Sequence, residues 1–151
     1  MSVKIRDMMN KDEEKVICNR IVSPEDYDMA AEALIELKYT SRELAETLVL
    51  QVLQNPDEEP YYQATAFNIF YSLNPTAGLD MISARPDEVN LIMLRSMIGC
   101  VTEDSALIEG NDNLLAAVKA VDKKINELDS HEVEGIKDNV TWFKETYKEV
   151  L

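Results

Sequence analysis

One histidine, two distant cysteines and twenty-nine acidic side chains make up the reactive inventory of this 151-residue chain, and their spacing suits few catalytic devices. His131 is followed by Glu132 and Glu134, but a zinc site needs further histidine or paired cysteine ligands, and the chain has neither. Asn111, Asp112 and Asn113 offer oxygen ligands without the regular pattern of a calcium loop. There is no glycine-rich phosphate loop and no GxSxG elbow. The expectation is a non-enzymatic protein with no cofactor and no metal. A small metal-dependent hydrolase built on clustered carboxylates ranks third among the functions weighed.

The carboxylates are nevertheless placed in a pattern. Pro24-Glu25-Asp26, Pro56-Asp57-Glu58 and Pro86-Asp87-Glu88 recur at intervals of about thirty residues, the length of a helical hairpin. Proline suits the first helical position because its missing N–H would be unpaired there, and acids in the first turn complement the helix dipole. Each triplet is therefore expected to open a helix, the second from within a loop over Asn55 to Pro60 that leads into the apolar run from Tyr61. Dipole complementation alone accounts for these acids, so none is assigned to catalysis.

Four glycines argue against a turn-rich β fold, and 46% hydrophobic residues are enough for a core. The most apolar stretch, Val89 to Val101, is interrupted by Asn90, Arg95 and Ser96 and does not read as a membrane span. Met1 to Lys15 alternates charges without a signal-like apolar run, so a soluble, cytoplasmic protein with no membrane partner is expected. Cys18 and Cys100 read as thiols rather than a disulfide. The formal charge of −14 repels nucleic acid and favours basic proteins. It is unevenly spread: residues 21–60 hold two basic and ten acidic side chains, residues 61–100 two and three. Acidic blocks flank a nearly neutral, apolar centre.

The elements that must position these groups are all helical. The reading is one domain over residues 1–151, an all-α stack of antiparallel hairpins of the HEAT or armadillo kind, a right-handed solenoid or an irregular bundle. A helix is expected within 1–20, and hairpins over 23–54, 56–84, 86–110 and 112–151. Ser23 is the cap expected before Tyr27, Ala30, Ala31, Leu34 and Leu37, with Thr40 or Ser41 capping a second helix to about Gln54. Asn74-Pro75 ends one helix and begins the next. A further helix reaches Gly99, with a short one over Thr102 to Ile108. Leu114, Val118, Val121, Ile125 and Leu128 step by four and three, as do Val133, Ile136, Val140, Phe143, Tyr147 and Val150, so two final helices are expected to pair across a turn capped by Ser130.

The centre carries Tyr61, Tyr62, Phe67, Phe70 and Tyr71 on one helix, and five aromatics there cannot all face inward. Tyr61 and Tyr62 stand beside Asp57, Glu58 and Glu59, the composition of a binding surface in which acids steer a cationic partner and a tyrosine anchors it. If repeats align, Glu25, Asp26, Asp57, Asp87 and Glu88 join them on one acidic rim. Trp142 falls outside the apolar stripe of its helix and is expected to be half exposed.

Around Tyr62, Ala66, Phe67, Phe70, Leu73, Asn74 and Pro75 the chain looks HEAT-like. Small, acidic helical proteins with an aromatic-rich central hairpin resemble bacterial immunity proteins, including those of contact-dependent growth inhibition systems. The resemblance implies a stoichiometric inhibitor of a cognate toxin domain, often a cationic nuclease whose phosphate-binding surface is complementary to carboxylates. The runner-up is a general adaptor or regulatory scaffold.

Overall fold

Capping chemistry decides where the helices begin, and it moves them downstream of the proline triplets. The computed structural model describes residues 11–84 and 89–151, and every regular element among them is helical. The chain divides into two compact units, residues 1–73 and 74–151, with the boundary inside the hairpin expected over 56–84.

The first unit contains α1 (Lys11–Val22), α2 (Tyr27–Thr40), α3 (Arg42–Gln54) and α4 (Pro60–Leu73). Asp26, not Ser23, caps α2: it sits in extended backbone and its carboxylate accepts the Met29 N–H at 3.1 Å. Pro56 and Asp57 lie, as expected, in a loop and do not themselves open the helix; Asn55 Oδ1 accepts the Asp57 N–H at 3.1 Å there. The helix begins instead at Pro60, whose ring suits the first helical position, and Glu59 caps it. The Glu59 carboxylate accepts the Tyr61 N–H at 3.0 Å and the Tyr62 N–H at 2.8 Å, satisfying two donors that a helix start leaves unpaired.

These helices pack with a direction that side chains record. Arg42, at the start of α3, donates to the Leu73 carbonyl at the end of α4. At the opposite ends, Gln63 Nε2 donates to the Val52 carbonyl at 3.2 Å and the Asn55 carbonyl at 2.5 Å. Thus α3 and α4 run antiparallel. By contrast the Tyr27 and Tyr62 rings lie 5.3 Å apart, so α2 and α4 start side by side. Packing also joins α2 to α3 and α1 to both. Leu34, Val49, Ala66 and Phe67 are fully enclosed, and each large apolar side chain contributes about 1.5–3 kcal/mol by leaving water.

The second unit contains α5 (Pro75–Ala84), α6 (Leu91–Glu103), a 3-10 turn (Ser105–Leu107), α7 (Asp112–Glu127), α8 (Ser130–Gly135) and α9 (Lys137–Thr146). Asn74 Oδ1 accepts the Ala77 N–H at 3.2 Å, so the Asn74-Pro75 start stands as expected. The Pro86 triplet lies outside the described residues, and the following helix is capped by Asn90. That helix does not stop at Gly99. It continues to Glu103, with Thr102 buried inside it and donating its hydroxyl to the Ile98 carbonyl at 2.6 Å.

Three further expectations are corrected in the last forty residues. The final helix is broken at Gly135-Ile136, where Ile136 leaves helical geometry (φ −129°, ψ 28°), consistent with glycine's weak hold on helix. Its start is capped by Asp129 in a reciprocal box with Glu132, while Ser130 is the first helical residue. Nor do the last two helices pair mainly with each other: α7 packs on α5 and α6, and α9 packs on α6. Val118, Val121, Phe143 and Tyr147 are all buried as expected. The Tyr147 hydroxyl, however, donates to the Val101 carbonyl on α6. Between α7 and α9, Lys144 reaches Asp122 at 2.5 Å and Asn126 at 2.9 Å. Trp142 is half exposed. Neither Cys18 nor Cys100 is in a disulfide.

Candidate functional site

The acidic rim gathers because two parallel helices present their positive ends next to each other. Dipoles at the starts of α2 and α4 both favour negative charge, and Asp26 and Glu59 supply it as caps. Glu58 ties the two ends together. Its carboxylate accepts the Tyr27 hydroxyl at 2.8 Å and the Glu59 N–H at 2.9 Å. That bond, followed by slight desolvation and the nearby charges of Glu58 and Glu59, raises the Tyr27 phenol above its ordinary range.

The residues predicted for the rim therefore divide into two groups. Asp26, Glu58 and Glu59 have structural bonds. Glu25 and Asp57 are exposed, and no described helix end uses their carboxylates. Tyr61 is 60% exposed at the first turn of α4, whereas Phe67, Phe70 and Tyr71 of the same helix are buried. Asp87 and Glu88 lie outside the described residues.

Tyr62 is corrected from partner contact to core. It is only 3% exposed, its ring tilts against Tyr27, and its hydroxyl donates to the Ile21 carbonyl at 2.7 Å. The carbonyls in the last turn of a helix lack partners within it, and Tyr62 supplies one for α1. Burial, then the charge of Glu58 and the neighbouring Tyr27, pushes its phenol upward, so it stays a donor further into alkaline pH than a free tyrosine does.

Tyr27, by spacing one of the apolar positions of its helix, belongs to the rim as well. It is half exposed and links both helix starts. The available signal was its place directly after Pro24-Glu25-Asp26, like that of Tyr61 after the acids of the second triplet.

Beside this rim, α1, the loop after it and the start of α2 line an open cleft of about 320 Å³. Val16 and Met29 give it an apolar wall, and Arg20, Glu25 and Asp26 bring charge to it. The volume is near the lower end for ligand pockets. Chemically, the arrangement can attract cations and offer exposed tyrosine surface, but it contains no nucleophile paired with a base. Among the described residues no three His, Cys, Asp or Glu side chains converge as a metal-binding set, and no helix is long and apolar enough to cross a membrane. Comparison of the chain with protein-family models, curated proteins and solved structures gives no match.

Proposed function

We propose that this chain is a protein-binding inhibitor, an immunity protein that neutralises a basic toxin domain by covering its active or substrate-binding surface. The supporting observation is that Tyr61 at the start of α4 is exposed, and that Glu25 and Asp57, in the segments leading into α2 and α4, are exposed acids that no described helix end uses as caps. Carboxylates not committed to the fold can steer a cationic surface, and a tyrosine that costs little entropy to order can anchor it. The net charge of −14 acts in the same direction.

The test begins with growth: co-expression of the chain with a toxin encoded by a neighbouring gene should rescue the cells, and the purified pair should associate more slowly as salt rises. Glu25→Lys with Asp57→Lys should lower the on-rate and leave the caps intact, while Tyr61→Ala should speed dissociation. Charge reversal at Glu58 or Glu59 would disturb a helix start and confuse the reading. Association insensitive to both salt and the double reversal would refute the rim mechanism. A bound partner with no toxicity would instead support the general adaptor.

A further inference from the structure

A second surface on the first unit follows from α2 itself. Of the ten large hydrophobic side chains exposed among the described residues, four lie on this one helix: Tyr27, Met29, Ile35 and Tyr39. Three other helices already pack against α2, through a face containing Ala30, Ala33, Leu34 and Leu37. What remains outward is thus not a residue set awaiting its own core. At about 100° per residue, Asp28, Glu32, Ile35 and Tyr39 fall within about 60° of arc, opposite that buried face. Ile35 is 47% and Tyr39 70% exposed, with Glu36 flanking them. Lys38, the single base of α2, is rooted between this stripe and the buried face, and its Nζ sits over the Tyr39 ring, 5.4 Å from its centre.

We infer that the outer face of α2 docks a basic, amphipathic helical segment of a protein partner, which deepens and rests on the protein-binding reading above. A helix exposes no unpaired backbone along its side, so recognition there must use side chains rather than strand addition. The steps from Asp28 to Glu32, Ile35 and Tyr39 follow a heptad-like seam about 17 Å long, which a second helix of the same period can track. Its apolar residues cover Ile35 and Tyr39, and its lysines or arginines meet Asp28, Glu32 and Glu36. A second copy of this chain is a poor occupant. A two-fold contact through the same stripe would bring the acids of both copies into one interface with no base on the stripe to pair them, and like charges in an interface oppose association.

The probe is a synthetic Lys/Leu peptide of about five helical turns with leucines on one face, compared with a scrambled peptide of identical composition and a Glu/Leu counterpart. Binding to the full chain is measured by calorimetry and located by amide shifts. The amphipathic Lys/Leu peptide should perturb Asp28 to Tyr39 and bind at least about tenfold more tightly than either control. Ile35→Ser with Tyr39→Ser, and separately Glu32→Lys with Glu36→Lys, should each weaken it about tenfold, with circular dichroism unchanged. Glu25→Lys with Asp57→Lys should leave it nearly unaltered.

Equal affinity for the scrambled peptide would reduce the effect to bulk charge and overturn the docking face. Loss of binding in the Glu25/Asp57 variant alone would overturn it too, while leaving the rim and the protein-binding reading standing. A dimer in sedimentation that Ile35→Ser with Tyr39→Ser dissociates would assign the face to a second copy and also overturn it.

Discussion

Tyr62 in the first unit and Tyr147 in the second use the same device. Each is buried, and each donates its hydroxyl to a backbone carbonyl far away in sequence, Ile21 for one and Val101 for the other. The surroundings differ. Near Tyr62 the capping acids are accompanied by exposed Tyr27 and Tyr61, and residues 21–60 carry ten acids against two bases. In the second unit the acids of the Asp129 start close into a reciprocal capping box, and Asp122 is paired with Lys144. An acid at a helix start is therefore no mark of a binding surface, since both units have them. What sets the first unit apart is an excess of acids beyond those required for capping, next to aromatic surface that the core has left outside.

The largest expected effect tests whether the two cores are equivalent. Phe67 and Phe143 are both fully enclosed, so truncating either to Ala should cost about 3–5 kcal/mol. Trp142, the single tryptophan, lies in the second unit, so its emission should follow loss of Phe143 directly. An unchanged denaturation midpoint for Phe143→Ala would remove that residue from the core.

The buried tyrosines make the next comparison. Replacing Tyr62 or Tyr147 by Phe leaves a carbonyl without its donor and should cost about 1–3 kcal/mol. They also predict alkaline sensitivity. Burial first, then the Asp104 carboxylate, pushes Tyr147 from 10.0 up to about 12. The folded state holds the neutral phenol more strongly than the unfolded chain does. Its stabilising contribution is thus complete below pH 10 and is lost as pH rises toward about 12. The urea midpoint should fall across that window, and Tyr147→Phe should fall less steeply. Parallel curves for the two proteins would contradict this role.

The smallest effect separates capping from surplus acid within a single loop. Glu59→Ala removes the cap of α4 and should cost about 1 kcal/mol, whereas Asp57→Ala should stay within about 0.5 kcal/mol. The binding kinetics should reverse that order if the rim captures a cation: Asp57 changes the on-rate without changing the fold. Equal thermal shifts for the two variants would erase the distinction drawn between them.

The chain itself determined the all-helical class, because step patterns of three and four residues and scarce glycine leave few alternatives. Most of the buried set of the last helices, the Asn74-Pro75 start and the failure of five aromatics to face inward together were likewise legible, although Leu128, Val133 and Val140 are only partly buried and Val150 is exposed beyond the end of α9. Periodicity reports which side chains share a face, and that is a local property. Exact starts were not legible where several residues compete to cap, as Ser23 does with Asp26, because the winner depends on where the chain leaves extended backbone. The break at Ile136, and the preference of α9 for α6, depend on partners distant in sequence. So do the opposite fates of Tyr61 and Tyr62. Adjacent helical residues point about 100° apart, and only the position of the Ile21 carbonyl and the Tyr27 ring decides which of the two becomes core. The acidic rim is tertiary for the same reason: sequence supplies the carboxylates, but the parallel setting of α2 and α4 brings two positive helix ends together and concentrates those charges on one edge.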